Sequence, residues 1–426
     1  MNSYKSNLSG IYKLSIIERQ KLISGLIELD DKEKQILRNF GYFSSTKLNT
    51  TIENVIGSYQ LPLGIATNFK INGTDYLVPM VIEEPSVVAA ASKAAKIARN
   101  NGGFTAEEVK PMMISQIQIT KLKDIKSAKE LILKNKPEIL KIANEQDPIL
   151  IKLNGGAIDI EVREISTFRG PMLIVHLLVN VLDAMGANVV NTMAEAVAPY
   201  IEELCGGKVY LRIVSNLAAH RIAKCKAIFD KDLLGGSNIV DGILDAFALA
   251  KADPYRAATH NKGIMNGIVA LALATGNDTR AIEAGAHAYA ALDGKYKSLS
   301  NFELDKNGNL IGKLEMPLAL GIIGGMTKVH PMARISLKIL RVKSSNELSQ
   351  VAVSLGLAQN VAALRALVSE GIQKGHMALH ARNLAKLAEV PDHLIEKVTR
   401  IMIKNEIFRL DYAKDVLKRL QKGENF

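Results

Sequence analysis

The feature that most constrains this fold is a block of mixed strand and helix patterns at residues 110 to 218, enclosed by largely helical sequence. Its segments run in the order strand, helix, strand, strand, helix, strand: Ile117–Ile119, the basic stretch Lys121–Lys141, Ile158–Val162, Leu173–Leu182, Val189–Leu204 and Val209–Val214. A βαββαβ order of this kind predicts a small α+β domain, inserted into a larger one.

The sequence on both sides of the insert predicts a large domain in two parts, residues 1–109 and 219–375. The first part has β-branched segments around Asn72-Gly73, a turn signal that predicts a β-hairpin. The second part is mainly helical. Amphipathic segments at Asp392–Lys404 and Asp411–Leu420 predict that residues 376–426 form a small helical unit. The expected fold class is α+β, with a large, mainly helical domain and an inserted small one.

The composition narrows the class of protein. Two cysteines in 426 residues cannot form a disulfide framework, and the N-terminal sequence lacks the apolar core of a signal peptide. The longest uncharged runs are interrupted by glycine and are too short to cross a bilayer. The net charge of +11 suits an anionic ligand, but no nucleic-acid-binding module is recognisable. We expect a cytoplasmic protein that binds neither membrane nor nucleic acid.

Several residues are ambiguous when each is taken alone. Lys262 stands among small, amide and apolar residues in "ATHNKGIMNG", either as an ordinary surface lysine or as a cation facing an oxygen that becomes negative. Glu84 and Asp278 are either helix-terminal acids or catalytic carboxylates. The turn at Gly186, before a predicted helix, is either a plain turn or a pyrophosphate site.

His376 and His380 are four residues apart, which places both imidazoles on one face of a helix. The residue after His376 is methionine where the zinc-protease motif has glutamate, so the metal interpretation is weak. The alternative is one histidine in acid–base chemistry and the other in a structural role. Two functions remain open at this point. One is a metal-dependent hydrolase that uses both histidines, and the other is a non-catalytic binder of acyl-coenzyme A or nucleic acid.

The conjunction of motifs is more specific than any one of them. They are Glu84-Pro85-Ser86, DAMGAN, HNKGIMNG, GND and GHMALHARN, with ENVIG at Glu53–Gly57 and RGPM at Arg169–Met172 in addition. In this order and spacing, the chain resembles class II, bacterial-type hydroxymethylglutaryl-coenzyme A reductase. The resemblance implies the interconversion of hydroxymethylglutaryl-coenzyme A with mevalonate and coenzyme A. The thioester is reduced through a hemithioacetal and an aldehyde by two hydride transfers from a nicotinamide cofactor.

The resemblance implies four catalytic residues. Lys262 would stabilise the oxygen that becomes negative, and Asp278 would pair with Lys262. Glu84 would donate a proton to the aldehyde oxygen. His376 would protonate the departing coenzyme A thiolate, a step that suits a group titrating near neutrality.

The resemblance also implies binding positions. On the substrate side they are Ser86, Arg256, Thr259, Asn266, Gln359 and Asn360. On the cofactor side they are Asp147, Asp183, Met185, Gly186, Ala187, Asn188 and Asn216. A carboxylate at position 147 accepts from a ribose hydroxyl and repels a 2′-phosphate, so NAD(H) is favoured and NADP(H) is the alternative.

Finally, the resemblance implies an enzyme without a metal whose active site is shared between subunits. A homodimer is then the minimum assembly, and a hexamer is a larger closed alternative. Because His376 begins the C-terminal unit, that unit is expected to close over the site as a flap.

Overall fold

The computed structural model describes residues 7–8, 14, 16–38, 59–369, 381–422 and 424. The elements before residue 110 are α1 (Ile16–Ile27), α2 (Asp31–Arg38), β1 (Leu63–Ile71), β2 (Thr74–Val81), α3 (Val87–Arg99) and β3 (Phe104–Ala106). Those of the inserted unit are β4 (Met112–Thr120), α4 (Ile125–Lys134), α5 (Lys136–Asn144), α6 (Pro148–Lys152), β5 (Gly156–Thr167), β6 (Gly170–Asn180), α7 (Ala187–Cys205) and β7 (Lys208–Ser215).

The large unit continues after the insert and is followed by the C-terminal helices. The elements of its second part are β8 (Ile222–Phe229), α8 (Lys231–Leu234), α9 (Ser237–Ala252), α10 (Pro254–Ala274), α11 (Thr279–Ala290), β9 (Ser300–Leu304), β10 (Leu310–Pro317), α12 (Gly325–Val329), α13 (Pro331–Leu340) and α14 (Ser345–Val368). The C-terminal helices are α15 (381–387), α16 (Asp392–Lys404) and α17 (Leu410–Gln421).

The large unit is built on a six-stranded sheet with strand order β2-β1-β3-β8-β10-β9. Strands β1 and β2 form the predicted hairpin, and the turn residues Asn72 and Gly73 both have positive φ, 47° and 82°. Such a two-residue turn matches the twist of the strands it joins. Helices α3, α10 and α14 cover the apolar face of the sheet, so sequence from both sides of the insert shares one core.

The inserted unit has a four-stranded antiparallel sheet with strand order β5-β6-β4-β7. Its elements follow the predicted βαββαβ order, the split arrangement of ferredoxin-like domains. Helices α4, α5 and α7 cover one face, where Ile117, Val175 and Val197 have no exposed surface. The α+β fold class predicted from the sequence is confirmed.

The C-terminal helices bury apolar side chains against one another, including Val398, Met402 and Val416. Helix α16 has the predicted bounds, and α17 begins at Leu410, one residue before the predicted start. Residues 370–380, which include His376 and His380, lie outside the described ranges.

Among the described helices, α14 is the one that is long and apolar enough to cross a membrane. It has 24 residues, and its most apolar 18-residue window has a mean hydropathy of 1.6. Of its most apolar window, 67% is buried inside the fold. Leu348, Val351 and Leu355 on this helix are part of the large core, which accounts for its apolar composition.

Candidate active site

Lys262 and Glu84 meet between α10 and the segment that joins β2 to α3. Lys262 Nζ lies 3.0 Å from Glu84 Oε2. The Lys262 side chain is 60% exposed and the Glu84 side chain 34% exposed, so the ion pair faces solvent. Helix α10 is fixed at its start by Asp253, whose carboxylate accepts from the backbone N–H groups of Tyr255 and Arg256. Two residues that the motifs predicted as catalytic thus lie side by side, Lys262 on the capped helix α10 and Glu84 on the segment before α3.

Ser86 has an unusual backbone conformation two residues after Glu84. Its φ of 73° lies in the left-handed region, which costs a residue with a side chain on the order of 1 kcal/mol or more. It occupies the N-cap position of α3, yet its hydroxyl makes no capping hydrogen bond. The hydroxyl therefore stays available to a ligand beside Glu84.

One face of α10, its exposed stripe, carries three more of the predicted substrate residues, Arg256, Thr259 and Asn266. Thr259, Lys262 and Asn266 follow one another at spacings of three and four, which places them on one helix face. Arg256 lies one turn before Thr259 and is half-buried, and burial lowers the pKa of its guanidinium. The stripe offers a hydroxyl, an ammonium, an amide and a guanidinium to a single ligand.

Gln359 and Asn360 lie behind this stripe, inside the core. Asn360 is 1% exposed, and its Oδ1 accepts from Ser300 Oγ at 2.8 Å. His260 Nε2 lies 2.7 Å from the same Ser300 oxygen. Gln359 is 5% exposed, and its Oε1 has no hydrogen-bond partner among the described residues. Within this chain, Asn360 supports α10 from inside rather than presenting its amide to solvent.

The protonation of His260 follows from this network. Since Ser300 donates its hydrogen to Asn360, it must accept from His260, which places the imidazole proton on Nε2. Burial, with the nearby Arg256 charge as a smaller cause, lowers the pKa of His260 to about 4. His260 is thus a neutral, buried histidine that the motif analysis did not single out.

Asp278 is not paired with Lys262 in this chain, contrary to expectation. Its carboxylate caps α11 by accepting from the backbone N–H groups of Arg280 and Ala281, and it contacts the Arg280 side chain at 3.1 Å. Burial alone would raise the pKa of Asp278, but these partners hold it below its usual range. Lys262 contacts Glu84 instead, and Asp278 follows the end of α10, which rises about 15 Å over the ten residues from Lys262 to Ala272.

The DAMGAN segment forms a tight loop before α7. Gly186 is the N-cap residue of α7 with a φ of 98°, and no side chain caps this helix start. A Cβ on Gly186 would lie 2.5 Å from Val181 Cγ1, so both the conformation and the close approach require glycine. The uncapped N–H groups at the start of a 19-residue helix suit a phosphate or pyrophosphate.

The carboxylate of Asp183 turns away from that helix start. Its Oδ1 accepts from the backbone N–H of Ser345 at 2.7 Å, which fixes the loop to the start of α14. Met185 and Ala187 are half-buried, whereas Asn188 is exposed. Of the DAMGAN side chains, Asn188 is therefore the most accessible to a ligand.

Asn216 and Asp147 lie on other parts of the inserted unit. Asn216 is exposed, and a Cβ on Gly285 of α11 would lie 2.5 Å from the Asn216 carbonyl oxygen. The Asn216 loop therefore packs on the helix that Asp278 caps. Asp147 Oδ1 accepts from the backbone N–H of Leu150 at 2.9 Å and caps the short helix α6, whereas Oδ2 has no hydrogen bond within the described chain.

Two polar residues that the sequence analysis missed, one buried and one half-buried, hold this region together. Arg221 is 1% exposed and donates to the carbonyl oxygens of Ala184, Met185 and Leu320. Asn277 bonds through its side-chain amide to both backbone groups of Gly321. The signal available in the sequence was an arginine directly before an apolar strand and an asparagine beside Asp278, and neither is specific.

Two predicted features lie outside the described residues. They are the histidine pair His376 and His380 and the ENVIG segment Glu53–Gly57. Within the residues that the structure does describe, no group of three or more His, Cys, Asp or Glu side chains is arranged to hold a metal ion.

Comparison with known proteins agrees with the motifs. A family model described as hydroxymethylglutaryl-coenzyme A reductase matches residues 15–381. The 3-hydroxy-3-methylglutaryl-coenzyme A reductase of Archaeoglobus fulgidus is 58% identical over 416 residues, which cover 98% of this chain and 95% of that protein. A probable reductase of the same name from Borreliella burgdorferi is 36% identical over 422 residues, covering 96% and 94%.

Solved structures give the same result. A reductase from Streptococcus pneumoniae superposes with a TM-score of 0.83 at 40% identity, covering 97% of this chain and 99% of that one. The class II enzyme of the same species, bound to NADPH in open conformations, gives a TM-score of 0.81 at 40% identity, covering 96% and 100%. By its motifs, its fold and these matches, the chain belongs to the class II, bacterial-type hydroxymethylglutaryl-coenzyme A reductase family.

Proposed function

We propose that Lys262, Glu84, Asp278 and His376 carry the reaction of this reductase. The reaction is the NAD(P)H-dependent reduction of hydroxymethylglutaryl-coenzyme A to mevalonate and coenzyme A, or its reverse. The observation that carries the first two assignments is the 3.0 Å contact between Lys262 Nζ and Glu84 Oε2. It presents a cation and a carboxyl group together, at a solvent-facing site beside the strained Ser86.

In this proposal, Lys262 stabilises the substrate oxygen on which negative charge develops. The bound nicotinamide supplies the hydride for each of the two reductions. The ammonium group is held in position by Glu84 before the substrate arrives, so little reorganisation is needed during the reaction. Glu84 is within reach of the same oxygen and donates the proton that converts it to a hydroxyl group.

His376 protonates the coenzyme A thiolate as it leaves. This assignment is supported by the GHMALHARN motif, since His376 lies outside the described residues. The C-terminal helices that follow would act as a flap over the site.

The substrate carboxylate is proposed to lie along the exposed stripe of α10. Arg256 supplies a guanidinium with donors that match two carboxylate oxygens, and Ser86 supplies a free hydroxyl. Thr259 and Asn266 lie on the same face, one turn to either side of Lys262. Gln359 and Asn360 lie in the core behind this stripe. Their motif match assigns them to the coenzyme A side of the site.

The cofactor is proposed to lie with its pyrophosphate at the start of α7. Gly186, with no room for a Cβ, and the uncapped N–H groups of that helix fit a pyrophosphate there. The DAMGAN loop and Asn216 would hold the nicotinamide half. Asp147, with one free carboxylate oxygen, would accept from the adenosine ribose, and we propose a preference for NADH on this basis.

We further propose a homodimer as the minimum assembly, with larger closed assemblies up to a hexamer as alternatives. The support is that Lys262 pairs with Glu84 and Asp278 with Arg280, so Lys262 and Asp278 are not paired inside one chain. Asp278 of a second chain can complete the site around Lys262 of the first. Mixing the strongly impaired variants Lys262→Met and Asp278→Asn tests this, because half of randomly mixed dimers would contain one intact site of two. We expect about a quarter of the parent activity to return, and no recovery would show that each chain builds its own site.

The proposed enzyme works without a metal and in the cytoplasm. The reductase reaction needs no metal in this scheme, since the cation beside the substrate oxygen is Lys262. Full activity after exhaustive chelation would agree with it, whereas loss of activity that zinc restores would favour a hydrolase-like role for His376 and His380.

The decisive experiment follows nicotinamide absorbance with the purified protein, with and without hydroxymethylglutaryl-coenzyme A. Thioester-dependent oxidation of two equivalents of cofactor per coenzyme A released is the expected result. Thioester hydrolysis without oxidation of the cofactor would overturn the proposal.

A further inference from the structure

The cofactor loop and Asp278 are attached to the same short segment, residues 318–323, which follows β10. On the loop side, Ile322 N–H donates to the Asp183 carbonyl oxygen at 2.9 Å, and Ala184 forms a β-bridge with Ile323. On the other side, the segment contacts Asn277, which directly precedes Asp278. The segment thus runs between the proposed cofactor site and a proposed catalytic residue.

Arg221 links this segment to the cofactor loop by hydrogen bonds to both. One guanidinium nitrogen lies 3.1 Å from the Ala184 carbonyl oxygen and 3.4 Å from that of Met185, and the other donates to Leu320. A fully buried arginine is costly to desolvate, and its burial lowers the pKa of Arg221 to about 10. That cost is offset where a planar fork can bridge several carbonyl groups at once, which a lysine cannot reproduce.

Asn277 fixes the opposite side of the segment. Its Oδ1 accepts from Gly321 N–H at 2.8 Å, and its Nδ2 donates to the Gly321 carbonyl at 3.1 Å, as a neighbouring strand would. Its Nδ2 also donates to Thr275 Oγ1 at 2.9 Å, which ties it to the end of α10. The hydrogen bonds of the Asn277 side chain therefore fix the position of Asp278, the N-cap residue of α11.

Gly321 makes the attachment close. A Cβ at this position would lie 2.4 Å from the Met185 backbone nitrogen and 2.9 Å from the Ala184 carbonyl carbon. Neither of these is a flexible side-chain end, so an added methyl group must push the loop away. The contact between the segment and the loop is therefore tight enough to transmit a displacement of either partner.

We infer that Arg221 and Asn277 are positioning residues, which hold residues 318–323 as a fixed spacer between the cofactor loop and Asp278. Arg221 acts on cofactor affinity through the loop, and Asn277 acts on turnover through the orientation of Asp278. This inference rests on the proposed placement of the cofactor at the DAMGAN loop.

The test begins with Arg221→Lys and Gly321→Ala, assayed for cofactor binding by nicotinamide fluorescence and for both KM values. We expect the Kd and KM for the cofactor to rise about tenfold, which corresponds to the loss of one or two hydrogen bonds, with the KM for hydroxymethylglutaryl-coenzyme A within about twofold. Arg99→Lys is the control, because Arg99 is a half-buried arginine whose guanidinium contacts both carboxylate oxygens of Asp75, on β2. A merely structural role would lower the melting temperature without this selective change in KM.

Asn277→Ala is tested in a double-mutant cycle with Asp278→Asn. We expect a loss of about tenfold in kcat in the parent background and no further loss in the Asp278→Asn background, because there is then no carboxylate to orient. Equal losses in both backgrounds would overturn the role of Asn277. Should Arg221→Lys fail to fold, Gly321→Ala still decides the role of the spacer.

Gly186→Ala distinguishes a wrong cofactor site from a wrong role for the spacer. If it leaves cofactor binding unchanged, the proposed cofactor site itself is wrong. If it weakens binding while Arg221→Lys and Gly321→Ala bind cofactor as the parent does, the site stands and the spacer is wrong.

Discussion

Lys262 and Glu84, 178 residues apart in the sequence, form an exposed ion pair with 3.0 Å between Nζ and Oε2. An exposed pair of this kind contributes at most about 1 kcal/mol to stability. Its position beside the left-handed Ser86 is better explained by chemistry than by folding. Either residue can accordingly be replaced with little effect on the fold, which makes both suitable for kinetic tests.

Replacing Lys262 with methionine should reduce kcat about 100- to 1000-fold, because the charge that stabilises the substrate oxygen is removed. The KM for the cofactor should change little, since the proposed cofactor loop lies on another part of the chain. Lys306→Met, at an exposed turn between β9 and β10, is the matched control and should keep parent activity. Turnover by the Lys262 variant at the parent rate would exclude the proposed mechanism.

Replacing Glu84 with glutamine should keep a hydrogen bond to Lys262 but remove the transferable proton. We expect kcat to fall about 100-fold or more, and the pH dependence of kcat to change shape. Glu83→Gln serves as the control, because it alters the adjacent exposed carboxylate only. A pH–rate profile for Glu84→Gln that matches the parent's would remove Glu84 from the acid–base chemistry.

Local patterns predicted the architecture well. The hairpin turn at Asn72-Gly73 depends on two backbone conformations that asparagine and glycine adopt easily, and the βαββαβ unit depends on periodicity within each segment. Both are properties of neighbouring residues. They could therefore be predicted from the sequence before any tertiary contact was known.

The contacts of the site depend on tertiary structure and were less predictable. Asp278 was expected beside Lys262, but within this chain it caps α11 and contacts the Arg280 side chain. Asn360 was expected on the substrate side and is enclosed in a core network with Ser300. Arg221 has a residue type that is almost never fully buried, so composition and spacing predicted a surface position.

Replacing Asp147 with histidine should shift cofactor selectivity toward NADPH. The carboxylate that would repel a 2′-phosphate is lost, and the ratio of kcat/KM for NADH to that for NADPH should fall about tenfold. The substitution also removes the cap of α6, at a cost of about 1 kcal/mol in the free energy of unfolding.

Asp147→Asn separates these two effects. Asparagine can retain the cap to Leu150 N–H and lacks the charge, so it should relax selectivity without loss of stability. An unchanged selectivity ratio in both variants would mean that residue 147 does not contact the ribose.

His260 should make the stability of this protein depend on pH between about 6.5 and 4. Its pKa is lowered to about 4 by burial in the core, so the unfolded chain binds a proton that the folded chain excludes. The stability that neutral His260 allows is fully present above pH 6.5 and is lost as the pH falls toward 4, by up to about 3 kcal/mol. His260→Gln, whose amide can donate to Ser300 Oγ in place of Nε2–H, should flatten this slope when the free energy of unfolding is measured in urea. His393→Gln, at an exposed position on α16, should leave the slope as it is in the parent, and an equal slope in both variants would show that the buried imidazole is not its source.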